Sequence, residues 1–335
     1  MLNLDPALYA TPRTFVEERE RIFSRTWQLI GPASRMPEPG SYVATDVAGL
    51  KLFVLRGRDG ALRAFRNVCR HRGARLLEEG LGRCTGPVRC PYHNWSYDDR
   101  GRLVALPWFG EEPSFRKEDW PLHEIQLREW RGLVFVAFAP EQELEGQLGG
   151  LIAELAHEPI ETYRAVREER LVFDANWKIY TDNFVEGYHI PGIHPSFFQA
   201  IDFKQFETTA HGGFVRMTAP PREGLFYRGK WLWMWPNWTL SLFEGGMNTS
   251  RINPLDHERT ELIYNFYFAD SSRTNTIEDT IQRNLAVVRE DFGICIETHK
   301  NYANGSYSAG PLSPRHEAGV RYFQDKVRKS LGSTA

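Results

Sequence analysis

The sequence predicts an α+β protein in which an antiparallel β region is followed by a domain that mixes helices and strands. From about residue 27, short alternating apolar and polar runs are separated by turn sequences such as Pro-Gly and Arg-Asp-Gly. This pattern ends in the apolar run 133–138, and Pro140 with the acidic stretch behind it marks a boundary. We therefore predict an N-terminal helical arm over 1–26, an all-β domain over 27–140 and an α+β domain over 141–335.

Length and composition limit the classes of function. A chain of 335 residues can form two domains of ordinary size, and 41 basic against 43 acidic residues give a net charge of −2. This balance does not indicate binding to nucleic acid or to an anionic membrane. The sequence shows neither a membrane-spanning apolar run nor a signal peptide, and its four cysteines cannot form a disulfide framework. We expect a cytoplasmic protein.

Two short motifs in the β region combine cysteine with histidine. Cys69 and His71 form the first, Cys90 and His93 form the second, and eighteen residues separate His71 from Cys90. Two thiolates and two imidazoles suit either a zinc ion or a [2Fe–2S] cluster with both thiolates on one iron. Zinc fingers place their second ligand pair on a helix, whereas both pairs here lie in loops marked by glycine and proline, which favours iron. Cys84 is interpreted as a free thiol.

A second group of candidate ligands follows the boundary. We predict a helix from Asn176 to about Tyr188, and its spacing of three places Asn183, Glu186 and His189 on one face. The Pro-Gly sequence at 191–192 should end this helix and allow His194 to approach His189. Two histidines and one carboxylate form the facial triad of non-haem Fe(II) oxygenases.

The third ligand is expected on a later helix, predicted over 276–299. Its buried stripe contains Ile281, Leu285, Val288, Phe292 and Cys295 at spacings of four and three. At about 100° per residue, Asp291 lies at the edge of this stripe and Glu290 points to solvent. A buried carboxylate needs a partner or a metal, so Asp291 is the predicted third ligand, with a buried salt bridge as the alternative.

Both motif regions resemble those of one family. The segment Cys90-Pro-Tyr-His-Asn-Trp-Ser-Tyr resembles a Rieske cluster-binding loop, and Glu186-x-x-His189-x₄-His194 resembles the iron motif of Rieske oxygenases. The whole chain is similar to the oxygenase α subunit of Rieske non-haem iron oxygenases. This resemblance implies a Rieske [2Fe–2S] domain and a helix-grip-like catalytic domain with mononuclear Fe(II). It also implies that Cys69, His71, Cys90 and His93 hold the cluster, and that His189, His194 and Asp291 hold the iron.

The resemblance further implies roles for neighbouring residues and for partners. Glu186 would bridge a catalytic histidine and a Rieske histidine of the neighbouring subunit in a homotrimer, while Asp182 and Asn183 would assist from the same helix. Electrons would come from NAD(P)H through a separate reductase of flavin or ferredoxin type, since the chain has no GxGxxG loop of its own. The enzyme would use O₂ to act on a small molecule.

The substrate stays open at this stage. Glutamate at 186 within Glu-Gly-Tyr-His-Ile-Pro resembles the choline, glycine betaine and carnitine monooxygenase branch, which implies hydroxylation or oxidative demethylation of a quaternary amine. Trp231, Trp233 and Trp235 alternate and are expected to face one side of a strand, where they form either a wall for a cation or aromatic ring, or ordinary core. Phe184, Phe197 and Phe198 are further candidates for the pocket. The alternatives are a ring-hydroxylating mono- or dioxygenase and, more distantly, a Rieske electron carrier without mononuclear iron.

Overall fold

The structure of the protein is a computed structural model that describes residues 2–221 and 227–332. For Tyr227 only the backbone is described. The first residue of the predicted arm and the last three of the predicted α+β domain lie outside these ranges. The chain divides into two compact units, of which one is Leu29–Ala139 and the other combines Met1–Gln28 with Pro140–Ala335. The predicted α+β class with an all-β N-terminal domain is confirmed.

The smaller unit is built from β-strands that have a buried apolar face. Its strands are β1 (Gln28–Pro32), β2 (Ser41–Val47), β3 (Leu50–Arg56), β4 (Leu62–Arg66), β5 (Gly80–Arg83), β6 (Val88–Arg89), β7 (Ser96–Tyr97), β8 (Leu103–Ala105), β9 (Glu124–Trp130) and β10 (Leu133–Ala137). Seven of them form a sheet in the order β1-β10-β9-β4-β3-β2-β5, and β6-β7-β8 form a small second sheet. Two 3₁₀ turns, Ala33–Arg35 and Lys117–Asp119, connect these strands.

One apolar core cluster of this unit lies beside the motif loops. Cys69 and Cys90 belong to it together with Trp95 and Tyr97, and all four are buried. The loops are therefore anchored by their cysteines, because a buried thiol behaves as a small apolar group.

The larger unit contains the second sheet. Its strands are β11 (Arg164–Phe173), β12 (Glu207–His211), β13 (Phe214–Thr218), β14 (Tyr227–Met234), β15 (Trp238–Phe243), β16 (Gly246–Pro254) and β17 (Thr260–Phe268). Neighbours in the order β11-β17-β16-β15-β14-β13-β12 are antiparallel, and their register is continuous except for one irregularity in β11 and one in β14. The strands β15, β16 and β17 are buried along their whole length, which indicates that both faces of the sheet are covered.

Nine α-helices are described in the larger unit: α1 (Ala7–Ala10), α2 (Pro12–Glu18), α3 (Leu144–Leu148), α4 (Leu151–Glu154), α5 (Trp177–Phe184), α6 (Ile190–Ile193), α7 (Pro195–Ala200), α8 (Thr274–Ala303) and α9 (Ala318–Leu331). A π-helical turn, Arg19–Phe23, continues α2, and Ile160–Thr162 and Phe203–Gln205 are 3₁₀ turns. No helix within 2–221 and 227–332 is both long and apolar enough to cross a membrane.

The longest helix, α8, contacts the sheet through the predicted stripe. Ile281, Leu285, Val288 and Cys295 are buried, and the ring of Phe292 stacks on Phe173 of β11 with centroids 4.5 Å apart. The helix extends beyond the predicted limits at both ends. Its apolar period therefore located the buried face correctly but not the ends.

The N-terminal arm packs on α5. Thr11 caps α2 by accepting a hydrogen bond from the backbone N–H of Thr14, and Pro12 occupies the first helical position. At the end of α2, the carboxylate of Glu18 accepts from the indole N–H of Trp177 and forms an ion pair with Lys178. Both charged side chains of this pair are 0% exposed, so the arm contributes a buried counter-ion to α5.

Candidate active site

The two Cys/His loops of the smaller unit share one backbone design. The N–H of Gly73 donates to the carbonyl of Cys69 at 3.1 Å, and the N–H of Asn94 donates to that of Cys90 at 3.0 Å. Both Gly73 (φ +75°) and Asn94 (φ +59°) are left-handed, a conformation that glycine and asparagine adopt most readily. The N–H of each cysteine in turn donates to the carbonyl five residues later, at 2.8 Å. The sequence thus forms two equal knuckles, each of which presents one thiol and one imidazole.

The four predicted ligands lie together. Cys69 and Cys90 are buried, and the rings of His71 and His93 have centroids 4.6 Å apart in an edge-on arrangement. Nδ1 of His93 is buried without a hydrogen-bond partner in the described part of the chain. Because buried polar atoms are normally paired, an orphaned imidazole nitrogen on the same loop as a buried cysteine fits a metal ligand.

Aromatic side chains surround this site. The indole of Trp95 stacks on His71 with centroids 4.7 Å apart and planes 9° apart, which shields one side of the imidazole from water. The hydroxyl of Tyr97 lies 3.4 Å from Sγ of Cys69 and accepts from the N–H of Arg70 at 3.1 Å. Burial raises the pKa of the Cys69 thiol, because a charged thiolate is poorly solvated there. Cys84 is outside the motif pairs and is a free cysteine.

The second ligand segment lies in the larger unit and begins on α5. This helix starts at a cap, where the side chain of Asn176 accepts from the N–H of Lys178 at 3.0 Å, but it ends at Phe184. The predicted continuation to Tyr188 is wrong: Glu186 and His189 lie in a turn that leads into the short helix α6. Gly187 lies in this turn against the ring of Phe206, which leaves no room for a Cβ atom. Its poor helix propensity and this packing explain the early end.

Three side chains converge behind this turn. Nε2 of His194 lies 2.9 Å, and Nε2 of His189 lies 3.7 Å, from Oδ1 of Asp291 on α8. The three ligand atoms form a group that can hold a metal ion. Oδ1 of Asp291 is buried and accepts no hydrogen bond of adequate geometry, although the His194 nitrogen is close. Two ligands at about 2.1 Å from one ion and at right angles lie about 3.0 Å apart, so this contact fits shared coordination.

A carboxylate holds the far side of each imidazole. Oε1 of Glu186 lies 2.5 Å from Nδ1 of His189, while its other oxygen accepts from the N–H groups of Tyr188 and His189. Oε2 of Glu290 lies 2.7 Å from Nδ1 of His194. Each carboxylate therefore fixes the tautomer that turns Nε2 towards Asp291.

The contact of Glu290 corrects the prediction that this residue points only to solvent. Its side chain is 38% exposed, but its carboxylate reaches the second histidine. Burial alone would lower the pKa of His194, yet the carboxylates of Asp291 and Glu290 raise it above the ordinary value. Sequence reasoning assigns Glu290 no functional role, although Glu290 is the neighbour of Asp291 in the sequence.

The remaining predicted residue on α5, Asp182, does not touch the triad. Its carboxylate accepts from the hydroxyl of Tyr9 at 2.6 Å and from the side-chain amide of Gln324 at 3.1 Å. Burial raises its pKa to about 7, against the opposing effect of these two hydrogen bonds. Asp182 thus connects the arm, α5 and α9. Asn183, in contrast, lines the cavity in front of the triad.

This cavity lies between α8 and the second sheet and has about 680 Å³ of empty space, part of it open to solvent. Of the predicted aromatic candidates, Phe184, Phe197 and Trp231 line it, and the rings of Phe197 and Trp231 meet edge-on at 5.2 Å. The other candidates do not: Trp233 and Trp235 pack against Phe323 of α9, and Phe198 packs against Phe203. Among the described lining residues there is no lysine or arginine.

Comparison with known proteins decides the family. Residues 160–333 match the family model "Ring hydroxylating alpha subunit (catalytic domain)", and residues 26–116 match "Rieske [2Fe-2S] domain". The chain belongs to the Rieske oxygenase alpha subunits. This family is one of Rieske non-haem iron oxygenases, so the protein is an oxidoreductase with a Rieske [2Fe–2S] domain and a candidate mononuclear iron site.

Curated relatives of this Rieske oxygenase act on quaternary ammonium compounds by name. The carnitine monooxygenase oxygenase subunit of Escherichia coli (strain K12) is 29% identical over 314 residues, which are 89% of this chain and 84% of the relative. The chloroplastic choline monooxygenase of Spinacia oleracea is 26% identical over 341 residues, 96% of this chain and 77% of the relative.

Solved structures give the same fold for the Rieske oxygenase. The quaternary ammonium Rieske monooxygenase CntA in complex with L-carnitine superposes with a TM-score of 0.88 at 27% identity, covering 98% of this chain and 96% of the other. Naphthalene 1,2-dioxygenase from Rhodococcus sp. superposes with a TM-score of 0.80 at 21% identity, covering 99% and 95%. The latter similarity shows the fold alone.

Proposed function

We propose that this Rieske oxygenase is the oxygenase component of a multi-component system that hydroxylates or oxidatively demethylates a small quaternary amine. The observation that carries the proposal is the cavity, which leads from an aromatic wall at Trp231 and Phe197 to the His189, His194 and Asp291 group. Aromatic faces attract quaternary ammonium groups, and the described lining offers no cation to repel one. The named substrates of the relatives point the same way.

The residues around the two metal sites would perform separate tasks. When bound, the [2Fe–2S] cluster would supply electrons that come from NAD(P)H through a separate flavin- or ferredoxin-type reductase, and Fe(II) would supply O₂ activation. Cys69, His71, Cys90 and His93 would hold the cluster, and Trp95 limits water access to it. Glu186 and Glu290 keep the Nδ1 protons of the two iron histidines in place, which leaves both Nε2 atoms free to ligate.

We further infer a homotrimer in which the cluster of one chain serves the iron of the next. Glu186 supports this arrangement because it lines the substrate cavity and also a second opening, together with Asp182, Asn183 and Glu317. A histidine of a partner subunit entering this second opening would reach the carboxylate that already holds His189. Inter-subunit electron transfer has been described for a quaternary ammonium Rieske monooxygenase of the same fold.

A second candidate function is hydroxylation of an aromatic compound. The same wall of Trp231 and Phe197 can stack on a ring, and the alpha subunit of biphenyl 2,3-dioxygenase from Rhodococcus jostii is 30% identical over 243 residues, 68% of this chain and 50% of the relative. A Rieske electron carrier without mononuclear iron is the distant alternative, and the intact triad speaks against it.

The test uses the iron-loaded protein with an NADH-dependent reductase. We expect about three iron atoms per chain, against two for an electron carrier, and oxidised product from quaternary amines but not from aromatic acids. Product, rather than NADH consumption, must be measured, because uncoupled oxidation also consumes NADH. A His189→Ala variant serves as the background control, since it should keep the cluster. Product from aromatic compounds alone would refute the proposed substrate class.

A further inference from the structure

One row of side chains crosses the floor of the substrate cavity. Met217, Trp231, Ser241 and Asn248 are direct cross-strand partners on β13, β14, β15 and β16, and all four line the cavity. Directly paired residues of antiparallel strands point to the same face of a sheet. The row therefore has an apolar and aromatic end at Met217 and Trp231 and a polar end at Ser241 and Asn248.

The amide group of Asn248 has a fixed orientation. Opposite the row, on α8, the side-chain N–H₂ of Asn284 donates to the backbone carbonyl of Thr280 at 2.9 Å. A carbonyl can only accept, so the amide nitrogen of Asn284 must face it, and Oδ1 of Asn284 faces the sheet. This oxygen accepts from Nδ2 of Asn248 at 3.2 Å. Because Nδ2 of Asn248 faces Asn284 on α8, the amide oxygen Oδ1 of Asn248 points away from α8.

Oδ1 of Asn248 has no hydrogen-bond partner among the described residues, and the residue is only 2% exposed. An unpaired buried acceptor is unfavourable, and natural proteins rarely keep one without a reason. Since Asn248 lines the cavity that holds the metal ligands, the natural partner is a donor on the bound substrate.

We propose that Asn248 determines substrate specificity by accepting a hydrogen bond from a hydroxyl or N–H group on the alkyl chain of the quaternary amine. This inference rests on the proposed function, because it assumes a cationic end against Trp231. Trp231 and Asn248 are two strands apart, a backbone separation of about 10 Å, which a short alkyl chain and the two side chains together span. The preferred class is thus a hydroxyalkyl trimethylammonium compound such as choline.

The same orientation discriminates against amines whose only other polar group is a carboxylate. A carboxylate offers only acceptors, so it would place negative oxygen against Oδ1 of Asn248. Turning the amide of Asn248 round would present its nitrogen instead, but it would break the hydrogen bond to Asn284 and set two acceptors against each other. Glycine betaine, which has a carboxylate and no hydroxyl, should therefore bind less well than choline.

The test compares matched ligands on the full iron-loaded enzyme without oxygen. Choline and n-propyltrimethylammonium have nearly the same shape and differ in one hydroxyl, and glycine betaine supplies the carboxylate. We expect calorimetric Kd values about 10- to 100-fold lower for choline than for either of the others, the range for a buried polar group left unpaired. Product formation with each ligand is measured in parallel.

Variants separate the acceptor from general packing. Asn248→Leu should bring choline and n-propyltrimethylammonium to within about threefold of each other, since no acceptor remains. Asn284→Ala should reduce the discrimination against glycine betaine, because the Asn248 amide is then free to turn. Asn248→Asp keeps an acceptor and should keep the preference for choline, which provides a test if the leucine variant does not fold. Asn301→Leu, at an exposed position of α8, should bind like the wild type.

Two outcomes would overturn the inference while the proposed function stands. One is a wild type that forms product from quaternary amines but prefers glycine betaine, which has no hydroxyl. The other is equal binding of choline and n-propyltrimethylammonium, which would mean that water alone satisfies Asn248. Absence of product from every quaternary amine, together with product from aromatic compounds, would instead reject the proposed function and the inference with it.

Discussion

Replacing Glu290 with alanine should weaken the mononuclear iron site without removing a ligand. The carboxylate of Glu290 lies 2.7 Å from Nδ1 of His194, and loss of such an outer partner typically lowers metal affinity 10- to 100-fold. Because the side chain is 38% exposed, solvent screens part of its charge, and we expect the lower end of that range. A tenfold loss corresponds to about 1.4 kcal/mol. Glu290→Gln keeps an acceptor and should lose only a few-fold.

The assay is competition for iron against a graded series of chelators, with the Rieske absorbance as an internal measure of intact protein. Glu297→Ala is the matched control, since Glu297 is an exposed carboxylate on the same helix that pairs with Lys300. The variant Asp291→Ala sets the lower limit, because it removes a proposed ligand. Iron retention by Glu290→Ala equal to that of Glu297→Ala would refute the reasoning that the His194 contact supports the metal.

Three further predictions test the remaining assignments. His93→Cys should lower the reduction potential of the cluster and shift its spectrum towards an all-thiolate centre, because a thiolate adds negative charge; an unchanged potential would remove His93 from the ligand set. The pKa of Asp182 is raised to about 7, so the folded state keeps a proton that the unfolded chain releases near pH 4, and the stability contributed by this group falls as pH rises from about 4 to about 7 and levels off above that. The difference in unfolding free energy between Asp182→Asn and the wild type should therefore shift by about 1–3 kcal/mol in favour of the variant between pH 5 and pH 8; this range is reduced because Asp182 is only partly buried. A difference that stays constant with pH in denaturation experiments would contradict this. Co-assembled His93→Ala and His189→Ala chains should recover part of the activity that both parents lack, and verified mixed assemblies that stay inactive would exclude electron transfer between chains.

Local spacing was enough to select the candidate ligands that the structure brings close together. Cys69 and Cys90 with their histidines are short-range motifs, and the period of α8 placed Asp291 on a buried edge. Glu290 was assigned to solvent because a helical period describes where Cβ atoms point, not how far a long side chain reaches. Its partner, His194, arrives from a segment about a hundred residues away, and such a contact leaves no periodic trace.

The walls of the cavity were less predictable for the same reason. Alternation correctly grouped Trp231 with Trp233 but was wrong for Trp235, because β14 ends at Met234. Neighbouring elements decide which ring lines the cavity, and α9 covers Trp233 through Phe323. The sequence does not identify Asn248 as functional, because a single asparagine in a strand has no sequence signature. Only the register of four strands and the amide of Asn284 give its oxygen a direction.

The path of the arm matters for anyone who recombines this protein with its relatives. Leu29–Ala139 is inserted between two parts of one compact unit, so residues 1–28 belong with the catalytic part and not with the Rieske part. A chimera that exchanges everything before residue 140 would replace Glu18 and leave Lys178 buried without a suitable counter-ion, a defect that costs about 3–5 kcal/mol. Exchanging only residues 29–139 keeps this ion pair. Hybrids with crossover points at the two ends of this segment should therefore be more stable than hybrids that exchange everything before residue 140.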